Sequence, residues 1–235
     1  MNQGLSLPPL LVGEPASGAD PMSRARALAA QGCDGGTLVH DIQPDRLRAA
    51  LIVAPEVPLA DAMAMLPICA VGFQNALGAL APPEVAVHLT WTGDILVNGA
   101  RCGAFRVAGS TLDLQAVPDW LIVAIDLTIQ LNTDDPGVSP DKTSLYEEGC
   151  AEIDPVRLCE AWARHTLVWI NRWTDEGNAP VHADWVPLLE GVGKPVTQGG
   201  YQGEFLGVDE KFGMLIRDDE TTQLLPLTTL LETDT

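Results

Sequence analysis

Residues 85–107, VAVHLTWTGDILVNGARCGAFRV, decide the fold. Three short strand-like runs follow one another here. Gly93-Asp94 and Asn98-Gly99 stand between them, the residue pairs that tight hairpin turns prefer. On the N-terminal side, Pro55 and Pro58 lead into an Ala-rich helix over 59–80. On the C-terminal side, WLIVAIDLTIQL (120–131) is the most continuous apolar strand of the chain. Further out, TLVHDI (37–42) and LRAALIVAPE (47–56) add two strands. Before them lies a helix over 20–31, with Asp20 as its cap and Pro21 at the first helical position. Gly32, Gly35 and Gly36 end that helix. Residues 132–152 read as a polar loop containing Asp134, Asp135, Pro136, Gly137 and Pro140.

The C-terminal third opens with the clearest helix. Asp154 caps it and Pro155 follows. Leu158, Trp162, His165, Trp169 and Trp173 recur at helical spacing, and Gly177 closes it. The tryptophan stripe is core packing. A short helix over HADWVPLLEG (182–191) comes next. From Pro195 the texture changes to short alternating strands broken by Gly and Asp, a β module of about forty residues. It is too small to bury a large core alone and is expected to pack on the main domain. The division is residues 1–193 and 194–235.

Charge narrows the function. Thirteen lysines and arginines face 32 acids, a net of −19, and the lysines are Lys142, Lys194 and Lys211, so residues 1–141 hold none. Nucleic-acid binding needs clustered cations, and anionic membrane surfaces repel such a chain, so neither is an expected partner. An apolar fraction of 46% belongs to a folded globular protein. Five cysteines, with no spacing that suits zinc, read as buried free thiols of a cytoplasmic protein, and no metal is expected. The N-terminus lacks the basic start of a secretory signal. Residues 59–81 carry Asp61, Pro67, Gln74 and Asn75, which suits a buried helix better than a membrane span. P-loop, nucleophile-elbow and zincin motifs are absent.

The order of elements and four segments resemble the biotin/lipoate–protein ligases without a DNA-binding extension. TWTGDILVN (90–98) is similar to the family's K-W-P-N-D-[IL] segment through Trp91, Asp94 and Ile95. GARCGAFRV (99–107) falls where the family has K-x-x-G-I-L, and LIVAIDLTIQ resembles the strand ending G-I-G-[IL]-N-V. Residues 154–196 resemble the terminal helices, and GEFLGVDEKFGMLI (203–216) resembles the SH3-like tail. The resemblance implies an α+β fold: a mixed sheet flanked by helices, as in class II synthetase-like ligases, with a small SH3-like module. It implies ATP and biotin or lipoate as substrates where the activity is retained, and transfer of an acyl group to an acceptor protein.

Two family devices for offsetting the repulsion between a carboxylate and a triphosphate are altered. The glycine/arginine-rich loop is replaced by QPDRLRAAL, which keeps Arg46 and Arg48. Thr90, Thr92 and Gly93 stand for the motif's lysine, proline and asparagine. Asp126 stands for a glycine of the ligand-facing strand, and Arg101 for a second lysine. These departures speak against standard adenylation. The alternative is a binding protein on the ligase fold, taking a neutral or cationic small molecule or an acyl-carrier partner. Across these readings the expected partners are a small acyl ligand or a carrier protein, with the chain a monomer or homodimer.

The candidate ligand-binding residues are Trp91, Asp94, Arg101, Gly103, Asp126, His40, Arg46 and Arg48, with Arg101 also the catalytic candidate. Each has a plainer reading. Trp91 suits a core aromatic, Asp94 a turn residue, His40 a satisfied structural histidine, and Arg101 a surface charge. Cys102 reads as an inert buried thiol. Asp126 on an apolar strand must either reach solvent in a cavity or pair with a cation such as Arg101.

Overall fold

The structure, a computed structural model, describes residues 4–131, 141–218 and 221–232. The stretch 132–140 of the expected polar loop lies outside these. Eight of the residues 120–131 form β7 (Leu121–Thr128), the middle strand of a seven-stranded sheet. Its apolar continuity fits a strand covered on both faces. The other strands are β1 (Val12–Pro15), β2 (Thr37–Ile42), β3 (Arg46–Val53), β4 (Val87–Leu89), β5 (Asp94–Val97) and β6 (Ala100–Gly109). They lie in the order β1-β2-β3-β7-β6-β5-β4, with β1 parallel to β2 and every other pair antiparallel. The hairpin between β5 and β6 turns on Asn98 and Gly99, both at positive φ (50° and 92°), as a two-residue turn requires.

Helix α1 (Pro21–Ala30) starts as its sequence predicts, with the Asp20 carboxylate accepting from the Ser23 N–H at 3.1 Å. It covers one end of one sheet face through Met22, Ala25 and Ala29. The expected long helix is two: α2 (Leu59–Ala62) and α3 (Met65–Leu80). Pro67 explains the break, because a continuous helix would drive its ring into the Met63 carbonyl. Leu59–Leu80 is, among the described residues, the one segment apolar and long enough to span a membrane. It is packed in the core between the sheet and α4 (Pro155–Glu176). At the crossing of α3 and α4, a side chain on Gly72 would come within 2.6 Å of Thr166 Oγ1. The indoles of α4 are all satisfied. Trp162 donates to the Cys69 carbonyl at 3.0 Å, Trp169 to Asn75 Oδ1 at 2.8 Å and Trp173 to Asn178 Oδ1 at 2.7 Å.

Gly177, at φ 75°, reverses the chain directly into α5 (Asn178–Trp185), four residues earlier than the sequence predicts. Pro187 ends it, and a 3-10 turn over Val186–Leu188 follows. The C-terminal module is a four-stranded antiparallel sheet of β8 (Pro195–Gln198), β9 (Tyr201–Val208), β10 (Met214–Arg217) and β11 (Thr222–Leu225), in the order β11-β10-β9-β8. Phe205, Phe212, Met214, Ile216 and Leu225 join the core of the main domain in one continuous cluster. The module does not stand alone.

Candidate functional site

The sheet has two unlike faces. One carries Leu47, Ala49, Leu51, Phe105, Val107, Val123 and Ile125 against α3 and α4. The other is covered by α1 only at one end. Its open end bears a transverse row of register partners: Asp41 on β2, Arg48 on β3, Asp126 on β7, Ala104 on β6 and Asp94 on β5. Residues directly opposite across antiparallel strands interact, and here Arg48 lies between the acids Asp41 and Asp126, while Ala104 separates Asp126 from Asp94.

The middle of this row, Arg48, Asp126 and Ala104, floors a cleft of about 560 Å³, lined also by Arg46, Arg101, Arg106 and Lys142 together with Asp20, Gly103 and Thr128. Five of the thirteen cations of a −19 protein thus converge on one open site. Four of them are tied to carboxylates. Arg46 grips Asp126 with both Nε (2.7 Å) and Nη2 (2.5 Å). Arg48 bonds Asp41, Arg101 Nε meets Asp94 at 2.5 Å, and Arg106 reaches Asp20 and Glu232. The hydrogen bond to Asp126 holds the Arg46 guanidinium still more firmly protonated than usual. The Asp41 carboxyl lies below its usual range, first through Gln43 and then through Arg48.

Lys142 makes no ion pair among the described residues. It enters the cleft because residues 141–143 run beside β6 beyond the end of β7. The Arg101 N–H donates to the Asp141 carbonyl and the Thr143 N–H to the Arg101 carbonyl, both at 2.9 Å. Lys142 is the first residue after the lysine-free stretch 1–141. Chain proximity gives no warning of it, since Arg101 and Lys142 are brought together by tertiary pairing.

Five of the eight candidate residues line the cleft: Arg46, Arg48, Arg101, Gly103 and Asp126. Asp94 borders it through Arg101. Asp126 both faces the cleft and pairs with a cation, which is Arg46 and not Arg101. Arg46, two residues before Asp126's register partner Arg48 on β3, is the cation that reaches it, and Arg101 is engaged by Asp94. Gly103 also has a packing reason to be glycine, because a Cβ there would collide with the Asp126 carbonyl. Thr90, at the motif-lysine position, caps its turn by accepting from the Asp94 N–H at 2.8 Å.

Trp91 and His40 do not line the cleft. Trp91 is 2% exposed at the junction with the C-terminal module, its indole donating to the Phe212 carbonyl at 2.8 Å. Trp185 packs edge-on to the Phe212 ring, with centroids 5.6 Å apart. His40 has Ala49, a residue of the helix-side core, as its register partner and approaches Gly13. Cys102 is buried and burial pushes its thiol up to about 12. No trio of His, Cys, Asp or Glu side chains among the described residues is placed to hold a metal ion.

Burial, only partly offset at His40 by Asp41 and Glu14, holds His40 and His165 below the ordinary histidine value of 6.5; at His165, Arg164 adds to it. The unfolded chain therefore takes up these protons first as pH falls. The stability they carry is complete above pH 6.5 and is lost as pH drops through the lowered values. Urea midpoints are expected to fall between pH 7 and 5, and the fall should be smaller in His40→Asn/His165→Asn. An equal fall in both proteins would remove these histidines as its source.

A second cleft of about 560 Å³ lies on the helix side, between residues 53–57, Met65, Ile170 and Trp173. It is mostly apolar and holds none of the candidate residues.

A family model described as the biotin/lipoate A/B protein ligase family matches residues 7–187, and one described as a domain of unknown function (DUF4444) matches residues 192–233. A comparison with curated proteins finds no match. Among solved structures, a biotin protein ligase-like protein of unknown function from Silicibacter sp. TM1040 is 55% identical, with a TM-score of 0.92, covering 97% of this chain and 100% of that one. A biotin protein ligase mutant from Aquifex aeolicus in complex with biotin is 17% identical (TM-score 0.71; 92% of this chain, 94% of that one). The biotin protein ligase from Leishmania major in complex with biotinyl-5-AMP is 16% identical (TM-score 0.55; 93% and 99%). These last two likenesses are of fold.

Proposed function

Since the chain belongs to the biotin/lipoate A/B protein ligase family, we propose that its basic cleft captures a carboxylate-bearing acyl ligand of the biotin, lipoate or fatty-acid type without adenylating it at ordinary ligase rates. The convergence of Arg46, Arg48, Arg101, Arg106 and Lys142 on the open sheet face carries this reading. In a protein of net −19, such a basin is where an anion finds complementary charge. Arg101 and Lys142, on paired neighbouring segments, offer a guanidinium fork and an ammonium to one carboxylate.

A triphosphate fits this donor set poorly. Adenylation needs cations free to meet charge as it develops on phosphate oxygens, and four of the five are bonded to carboxylates of the protein itself. The carboxylate of Asp126 stands in the row where the ligand would lie.

Isothermal titration with biotin, lipoate and octanoate should show saturable binding of at least one acid. Adding ATP should release pyrophosphate no faster than a protein-free control. Pyrophosphate release at ordinary ligase rates, or binding of none of the three acids, overturns the proposal.

The adjacency of Arg101 and Lys142 also favours a second reading, acyl transfer to an acceptor lysine from a donor activated elsewhere. Two neighbouring cations suit the single phosphate of an acyl-adenylate. Biotinylation of a biotin-accepting domain from added biotinyl-adenylate, faster than without the protein, distinguishes transfer from capture.

A further inference from the structure

Glu232 closes the described part of the C-terminal module, yet it is seated on the main sheet. Leu231 bridges Val107 in parallel, and the Glu232 N–H donates to the Val107 carbonyl at 2.9 Å. This is the half of β6 that β5 leaves unpaired, since their register ends at Ala104. Held there by backbone, the Glu232 carboxylate lies 3.4 Å from Arg106 Nη1 and 3.1 Å from Arg26 Nη2. Arg106 lines the cleft, with Asp20 3.6 Å away. The terminal segment of the module therefore places a carboxylate on a cleft cation.

Given an anion-binding cleft as proposed above, we propose that Glu232 is a specificity-determining residue, supplied by the C-terminal module, that reserves the cleft for ligands of single negative charge. The lining cations Arg46, Arg48, Arg101, Arg106 and Lys142 are five. Asp126, Asp41 and Asp94 pair with Arg46, Arg48 and Arg101, while Arg106 faces two carboxylates, Asp20 and Glu232, and Lys142 pairs with none among the described residues. Glu232 is thus the second carboxylate on Arg106, and the one of these five acids that comes from the C-terminal module. A monoanion can still take its hydrogen bonds from Lys142 and Arg101, away from Glu232. A polyphosphate extending towards Arg106 meets the Glu232 charge, and neighbouring like charges oppose binding strongly where water is partly excluded. Backbone pairing of residues 231 and 232 matters because a carboxylate on a free tail would swing away from an arriving anion.

The test uses the full chain and two probes, octanoate for the monoanion and inorganic tripolyphosphate for the polyanion, titrated at low and physiological salt. Glu232→Gln keeps the side-chain shape and removes the charge. It is expected to bind tripolyphosphate about fivefold more tightly at low salt, with the gain shrinking as salt rises, while octanoate affinity moves less than twofold. In an Arg106→Gln background the same substitution should lose most of its effect, because the cation it releases is gone. If octanoate binds the wild type but Glu232→Gln leaves tripolyphosphate affinity unchanged, this inference falls alone. If neither probe binds any variant, the reading of the cleft falls with it.

Discussion

Trp91→Ala is expected to lower stability by about 3–5 kcal/mol, a fall in melting temperature of roughly 10 °C for a domain of this size. The indole is 2% exposed and connects the turn before β5 to the Phe212 carbonyl of the C-terminal module. Its removal leaves a cavity at the junction and an unpaired carbonyl within it. Phe212 has a positive φ of 65°, unusual for a bulky residue, so its conformation depends on the surrounding contacts: the Trp91 hydrogen bond, the Trp185 ring, and the Asp209 turn that accepts from the Gly213 N–H at 2.7 Å. Differential scanning calorimetry measures the loss. Trp91→Phe keeps most of the apolar bulk but not the hydrogen bond, and should lose less. Equal melting temperatures for Trp91→Ala and wild type would contradict the role of this contact.

The second large effect concerns binding. Arg101→Ala and Lys142→Ala should each weaken the acyl acid by about 10-fold, and the double variant by roughly 100-fold, since a hydrogen bond to a charged group contributes about 1.5–3 kcal/mol. Stability should change little. Arg101 and Asp94 form a half-exposed pair, a class that contributes about 0–1 kcal/mol, and Lys142 is exposed. Calorimetric titration with a melting control separates the two quantities. Unchanged affinity in the double variant would move the ligand out of this cleft.

The helices and central strands were legible because local signals and tertiary demands agree in them. Asp154, Pro155 and Gly177 mark α4, and Asn98-Gly99 marks a hairpin. The apolar run over 120–131 marks the middle strand, which in the structure ends at Thr128. Strand β1 carries no such signal. VGEP is extended through pairing, with the Val12 N–H donating to the Gly36 carbonyl and the Ala16 N–H to the His40 carbonyl. Pro15 is tolerated there because β1 is an edge strand.

The site was legible in part. Arg46, Arg48, Arg101, Gly103 and Asp126 fall together because strand register brings them together. Trp91 goes elsewhere because its partner lies 121 residues away, in a module whose docking face the alternation of residues does not reveal. Lys142 and Glu232 were missed for a shared reason. Each reaches the cleft through a short segment added beside β6, residues 141–143 at one end and 231–232 at the other. The net charge suggested repulsion of anions. The structure gathers five cations in one place and pairs four of them with acids, so local arrangement governs what binds.

A crystal structure with octanoate, lipoate or biotin bound tests the central claim most directly. The account predicts the ligand carboxylate between Arg101 and Lys142, with Arg46 still gripping Asp126. A ligand seated instead in the apolar helix-side cleft beside Met65 and Trp173, with the basic cleft unchanged, would contradict it.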